Sequence, residues 1–424
     1  MLKELSVKNF KSINEELFFT MEADYERVSE YPEHIVDING NKLLKVASMY
    51  GPNGGGKSNI LKALFLARKL VTSSDRFPSY FDTFVDSESG VMEETLFFVD
   101  EKYEIGYNFQ ISLSDSEDFD IEEQPKFRNR FLKIDIVSEL VSFRAYREKD
   151  FIVLLERDKN GDLSSDLFDF DNVSNNFKLS SSKSAIDYIN EIYANPQNAS
   201  STFLDVIMRL YNQINSISPL DLSINLYLKY PKNTLESIEK QKEKLISLLE
   251  RADIKISDII INFDENSRDD QFYFVREYRH NNTFSTKKIS ISNESDGTRK
   301  VFYLLINLLI RQNTFKIYFC DDLNAYLHPK MCKAIIEIFQ ENNSGMQLIF
   351  NSHDLINMTN ELFRRDEIWL IYKDDNYATQ ATPLSSIVNY KGEQVRKDSK
   401  YNKQYLEGKY GADPFIVKGL NWNE

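Results

Sequence analysis

The chain is poor in cysteine and histidine and has no long apolar run. Two cysteines, Cys320 and Cys332, stand among 424 residues. They build no disulfide framework and fit a reducing cytosol. The four histidines, His34, His280, His328 and His353, show no spacing for a zinc site. No segment approaches the roughly 20 uninterrupted apolar residues of a membrane span. The opening stretch, Met1 to Phe10, alternates as a strand does and lacks the apolar core of a signal peptide. A cytoplasmic protein is expected. No internal repeat or low-complexity tract is present, and without a long heptad run an extended coiled-coil arm is excluded. There is no Gly-x-Ser-x-Gly elbow and no Cys-His signature of nucleophilic catalysis. Positive charge is also short: the net charge is −14. That argues against general, charge-driven nucleic-acid binding and leaves room only for a local basic patch.

An apolar share of 42% and an aromatic share of 13% support a real core. The length predicts two lobes or one domain with an insertion. The most informative stretch is Gly51-Pro52-Asn53-Gly54-Gly55-Gly56-Lys57-Ser58, which fits Gly, four residues, Gly-Lys-Ser/Thr. Leu43 to Tyr50 before it reads as a buried strand, and Asn59 to Ala67 after it reads as a helix. Glycines let successive N–H groups curl round an anion, and the helix points its positive end at it. Lys57 adds a cation for the β- and γ-phosphates, and the Ser58 hydroxyl can ligate Mg²⁺. A glycine-rich turn that binds nothing is the bland alternative, and the two correct flanks outweigh it.

Residues 21–41 read as polar and irregular. Glu94–Val99 and Tyr103–Ile111 read as a hairpin, extended by Phe131–Val137 and Phe151–Arg157. Residues 165–255 turn helical, most clearly from Thr234 to Ala252, where Leu235, Ile238, Leu245, Leu248 and Leu249 form a stripe. Such a stripe is a core face more often than a partner-binding arm. Strands are expected again at 256–263, 271–278 and 287–292, then a helix at 298–311, a strand at 315–320, a helix at 329–341 and a strand at 347–351. The alternation predicts a mostly parallel sheet.

Three further segments carry chemistry. Lys316 to Asp322 is an apolar strand ending in two carboxylates. Asp321 at such a tip can join the Mg²⁺ shell, and Asp322 can sit near the attacking water. Asn293 to Arg299 opens an apolar helix, where Ser295 and Gly297 can meet a phosphate or merely cap the helix. Gln347 to Asp354 is a strand ending in a polar turn with His353. The pair Asp374-Asp375 is better explained as a charged turn than as a nuclease metal site.

Taken in order, these motifs resemble the ABC-type ATPase heads of the SMC, Rad50 and RecF group. More closely they resemble the compact AAA-15/AAA-21 ATPases of bacterial phage defence, such as the RloA/AbiL-like and overcoming-lysogenization-defect ATPases. The likeness rests on Leu5 to Ser12, Gly51 to Asn59, Ser295-Asp296-Gly297-Thr298, Asp321 to Pro329 and Asn351-Ser352-His353, with Tyr405 to Pro414 similar to RloA-like tails. It implies an α/β ABC-ATPase head with a mostly parallel phosphate-loop sheet, an antiparallel β subdomain and a helical insertion. The expected division is 1–164, an N-terminal ATPase lobe; 165–255, the insertion; and 256–424, a C-terminal lobe.

The resemblance also implies roles. ATP and Mg²⁺ would be held by Gly51 to Asn59 and Lys11, with Ser58 and Asp321 on the metal. Asp322 and His353 would be catalytic. Ser295, Asp296 and Gly297 would reach the ATP of a second subunit. Two departures stand out. The usual catalytic Glu is Asp322, one methylene shorter, which predicts slow hydrolysis. Asp296 adds negative charge where a small or neutral residue is usual. About 70 residues follow His353, too few for a TOPRIM nuclease domain. A separate effector, a nuclease or toxin, is therefore expected beside a dimeric ATP-gated switch in abortive infection. The competing readings are a RecF-like DNA-repair clamp and an ATP-binding scaffold with negligible turnover.

Overall fold

In the computed structural model of the chain, the described residues are 1–72, 77–78, 90–115, 131–168, 179–193, 202–220, 230–264, 270–280, 283–311, 316–342, 344–388, 392 and 394–412. A six-stranded sheet lies at the centre. Its order is Ile217–Pro219, Ile317–Cys320, Gln347–Asn351, Val46–Tyr50, Ile368–Lys373, Thr379–Pro383. Every pairing in it is parallel except that of the last strand. The expected mostly parallel sheet is therefore present.

Side chains alternate across this sheet and divide two cores. Ala47, Met49, Ile317, Phe319, Ile349 and Ile371 face one core. Val46, Tyr50, Tyr318, Cys320, Leu348 and Phe350 face the other. Strands buried on both faces need apolar residues throughout, as the fully buried run Val46–Tyr50 shows. The first core holds the helix Lys57–Thr72 and the antiparallel sheet. That sheet is eight-stranded, and Val91–Val99, Tyr103–Asp115 and Phe131–Ala145 form its meander. Gln347 fastens the two sheets together. Its side-chain amide accepts from Leu2 N at 2.8 Å and donates to Leu2 O at 2.9 Å and Leu44 O at 3.1 Å.

Several elements differ from expectation. Leu43–Tyr50 is not one strand. Asn41–Leu44 pairs with Ile35–Ile38, and the chain then leaves that ladder at Lys45 to enter the parallel sheet. The Lys45 ammonium is buried and donates to Gln340 O at 2.9 Å. Residues 21–41 are thus partly ordered as this hairpin and two short 3₁₀ turns. Thr234–Ala252 is two helices, Lys232–Lys240 and Lys242–Arg251, broken at Gln241 with φ −109° and ψ 11°. Its stripe is core: Leu235, Ile238, Leu245 and Leu249 are buried in the second cluster. The short strand Ile217–Pro219, inside the expected helical stretch, joins the edge of the parallel sheet.

One core residue breaks the apolar pattern. On Val91–Val99 the inward face carries Met92, Glu94, Leu96 and Phe98. Glu94 is 0% exposed, and neither of its carboxyl oxygens has a hydrogen-bond partner among the described residues. Burial pushes its pKa well above the ordinary carboxylate value. The folded chain therefore keeps the proton that the unfolded chain releases above pH 4.5. Stability is fully present below that pH and is lost as pH rises toward the folded pKa. We expect Glu94→Met to stabilise the protein more at pH 8 than at pH 5. The difference should reach roughly 1.4 kcal/mol for each pH unit over which folded Glu94 stays protonated. Denaturant titrations of both proteins at the two pH values check this, and an equal gain at both would refute it.

Candidate functional site

The parallel strands bring the motifs to one edge, at their carboxyl ends, where open α/β sheets bind ligands. Val46–Tyr50 runs into the loop Gly51–Gly56, and the helix Lys57–Thr72 starts directly after it. Close approach explains the first and last loop glycines. A Cβ on Gly51 would lie 1.8 Å from Ile371 O, and one on Gly56 would lie 2.1 Å from Thr379 Oγ1. Gly56 also has φ +110°, where L side chains are strained. The loop is thus pressed onto Ile368–Lys373 and Thr379–Pro383. Thr379 Oγ1 donates to Gly55 O at 3.1 Å and sits 2.7 Å from Ser12 Oγ. Asn59 Nδ2 donates to the same Ser12 oxygen at 2.8 Å. Lys11 precedes Ser12 in a turn with left-handed backbone, φ 55°, its ammonium 5.8 Å from the Phe10 ring centre.

Lys57 Nζ donates to Gly51 O and Pro52 O, both at 2.9 Å. Its pKa is lowered by burial, with Asp322 and Asp321 acting in the opposite sense. Ser58 Oγ donates to Asp321 Oδ1 at 2.8 Å. The same oxygen accepts from Asn351 Nδ2. Asn351 Oδ1 in turn accepts from Asp322 N at 2.5 Å. One amide thus ties both acidic residues to the neighbouring strand tip.

The His353 ring nitrogen Nε2 lies 3.6 Å from Asp322 Oδ1. Burial and then the Lys57 charge lower the His353 pKa, against Asp322 and Asp321. Asn324 holds the His353 segment. Its Oδ1 accepts from Ser352 Oγ at 3.0 Å and His353 N at 3.1 Å. Asn351, Asn324 and Ser12 lie within the expected motif segments but carry no expected role there, and Thr379 lies outside them. Their signal is spatial, because each reaches the motifs from another strand or turn.

Ser295, Asp296 and Gly297 make other contacts. Ser295 Oγ accepts from Thr298 N at 3.2 Å and caps the helix Asp296–Arg311. Asp296 pairs with Arg299 of the same turn, which offsets the charge its sequence position adds. Gly297 packs on the loop after Asp322: a Cβ there would lie 2.6 Å from Tyr326 O. Ser295 and Asp296 are exposed.

The donor set suits a hard cation. A hydroxyl, Ser58, and a carboxylate, Asp321, meet at the start of a helix. Among the described residues no three His, Cys, Asp or Glu cluster for a metal. A Mg²⁺ bound with nucleotide needs only one or two carboxylates, because phosphates complete its shell. The loop glycines likewise leave backbone where a phosphate fits. Among the described residues, no helix is long and apolar enough to cross a membrane.

A strand, glycine loop and helix, with an acidic strand tip and a histidine turn beside it, are the parts of a phosphate-loop nucleotide site. The chain belongs to the AAA_21 family, described as "AAA domain, putative AbiEii toxin, Type IV TA system", which it matches over residues 46–357. Solved structures with a similar form include the SMC head domain from Thermotoga maritima. It is 16% identical, with 90% of this chain and 98% of that chain covered, at a TM-score of 0.42. An SMC head bound to the C-terminal winged-helix domain of ScpA is 14% identical, with coverage of 91% and 98%, at 0.43. An SMC head with an extended coiled coil, bound to the C-terminal domain of ScpA derived from Pyrococcus furiosus, is 14% identical, with coverage of 90% and 96%, at 0.42. No curated protein matches the chain.

Lys57→Ala should remove ATP binding while leaving the fold intact. Bound ATP–Mg²⁺ at 100 times its dissociation constant stabilises a folded protein by about 2.7 kcal/mol. The wild type should show that shift in thermal unfolding, and Lys57→Ala should show none. An equal shift in both would remove Lys57 from the site.

Proposed function

We propose that this ATPase hydrolyses ATP slowly, as a dimeric nucleotide-gated switch in bacterial anti-phage defence of the abortive-infection kind, and that it controls a separate effector. The observation that carries the dimer is the exposure of Ser295 and Asp296. They begin a long helix, and among the described residues their side chains make their hydrogen bonds and ion pair within its first turn. A helix N-terminus offers only part of a charge, so it acts best on a phosphate already held elsewhere. The loop of a second copy supplies that phosphate. The Asp296–Arg299 pair keeps the approaching surface from presenting an uncompensated anion.

Within one subunit, Gly51 to Ser58 would cradle the phosphates and Lys57 would supply the cation. Mg²⁺, held by Ser58 and Asp321, would neutralise phosphate charge when bound. Asp322 would orient the water, and His353, kept neutral by burial and by Lys57, would sit beside it as an acceptor. Asp ends about 1.5 Å short of Glu, and a misplacement near 1 Å can cost on the order of 100-fold in rate. A long-lived ATP state suits a switch that waits better than a motor that cycles.

The family description, with its putative toxin and Type IV TA system, supports a two-component defence setting. The net charge of −14 weighs against the DNA-clamp reading. A nuclease or toxin gene beside this one would support the effector.

Two measurements test the reading. Analytical ultracentrifugation with ATP–Mg²⁺ should show Asp322→Asn as a dimer and the double variant Asp322→Asn with Ser295→Arg as a monomer that still binds ATP. A strictly monomeric Asp322→Asn protein with ATP bound would sink the dimer. Single-turnover hydrolysis by Asp322→Asn should be at least about 100-fold slower than wild type. Equal rates in a well-folded variant would take Asp322 out of the mechanism.

A further inference from the structure

Lys300 lies five residues beyond the exposed Ser295, on the helix Asp296–Arg311, and only 9% of it is exposed. Among the described residues it pairs with no carboxylate. Its ammonium donates instead to three backbone carbonyls of one loop: Asp322 O at 3.0 Å, Leu323 O at 3.3 Å and Ala325 O at 3.1 Å. A lysine has three donors, so this nest saturates it. Burying an ammonium costs heavily unless it is hydrogen-bonded in this way. The contact is therefore specific to a cation with three protons.

The loop it grips has two turn hydrogen bonds of its own, Ala325 N to Asp322 O at 2.9 Å and Leu327 N to Asn324 O at 3.1 Å, and it also carries strain. Asp322 and Tyr326 both take left-handed backbone, φ 50° and 63°, which non-glycine residues adopt at a cost. Three partners hold Asp322 in that state, one of them the Ala325 N–H of the same loop, which donates to its carbonyl at 2.9 Å. Asn351 takes its N–H, and Lys300 takes its carbonyl. The helix touches the same loop again where Gly297 meets Tyr326 O. An α-helix is stiff over so short a span, so a displacement of Ser295 carries Lys300 with it.

We propose that Lys300 is a positioning residue: it clamps the Asp322–Ala325 loop and thereby couples the Ser295 end of its helix to the placement of the Asp322 carboxylate. The proposal rests on the ATPase role given above to Asp322. The clamp itself rests only on the geometry of Lys300, so the two can fail separately.

The test uses the full chain with Lys300→Met, which keeps length and loses all three donors, and Lys300→Gln, which keeps an amide donor. Hydrogen exchange without nucleotide is read on peptides covering 321–327 and 51–58. In Lys300→Met, exchange at 321–327 should rise by about 10-fold or more, and exchange at 51–58 should not change. ATP affinity should stay within about 3-fold of wild type, and kcat should fall by about 10-fold or more with little change in KM. Lys300→Gln should lie between the two, and it is read in the same way if Lys300→Met does not fold. Unchanged exchange at 321–327 overturns the clamp. Raised exchange with wild-type kcat overturns the coupling to Asp322. A wild-type protein that binds ATP without any turnover instead overturns the role of Asp322, and the exchange result still decides the clamp.

Discussion

One carboxylate oxygen organises this protein. Asp321 Oδ1 accepts both the Ser58 hydroxyl and the Asn351 amide. The strand order makes this necessary. Gln347–Asn351 lies between the strand that ends at Asp321 and the strand that enters the glycine loop. The acidic tip and the helix start can meet only across the tip of that middle strand. A bulky apolar residue at 351 would separate them, whereas an amide can donate to one Asp and accept from the next. Ser58, Asp321, Asp322 and His353 therefore occupy one site because position 351 is small, polar and two-sided.

The loop beside this oxygen is held from below by elements remote in the chain. Ile371 O presses against Gly51 because Ile368–Lys373 is locked next to Val46–Tyr50. That lock begins one residue earlier, at a buried charged cluster. Glu367 is 0% exposed, its backbone carbonyl accepts from Ser48 N at 2.7 Å, and its carboxylate meets His34 Nδ1 at 3.1 Å. Arg364 is bidentate to Asp366, at 2.8 and 2.6 Å, and also binds backbone carbonyls of Arg27 and Glu30. Buried ion pairs add little net stability, but losing one partner is expensive. Their effect here is on register: a slip of Ile368–Lys373 would strand these charges and pull Ile371 off the glycine loop.

The motifs were legible because each is contiguous. Gly51–Ser58, Asp321-Asp322 and the His353 turn announce themselves by residue type and flanking pattern, and the parallel sheet follows from their alternation. What was not legible is what the sheet order creates. Asn351 could be read as part of the histidine segment, but not as the bridge between two carboxylates, since that needs knowledge of which strand lies in the middle. Thr379 and Ser12 brace the loop from opposite ends of the chain. Nothing in the sequence singles out Lys300, and only the fold turns it toward three carbonyls. Local periodicity likewise ran Leu43–Tyr50 together as one strand, because it cannot see that Leu44 and Val46 pair with different sheets.

The two departures from the family pattern bear on each other through the same loop. Asp322 is shorter than the usual Glu, which withdraws its carboxylate from whatever it must orient. Its left-handed backbone bears on where that carboxylate points, and Asn351, Lys300 and the Ala325 N–H all hydrogen-bond the peptide groups of Asp322. Asp296 brings a charge that would oppose a phosphate, and Arg299 answers it from the same turn. Lys300 follows Arg299 directly. Consecutive basic residues on this helix thus point different ways: Arg299 pairs with Asp296 at the exposed helix start, and Lys300 binds the acidic loop. Residues 295 to 300 carry both the contacts of the exposed helix start and the grip on the loop that bears Asp322. That proximity is why we infer that engagement of the helix start and the setting of Asp322 are one mechanical event.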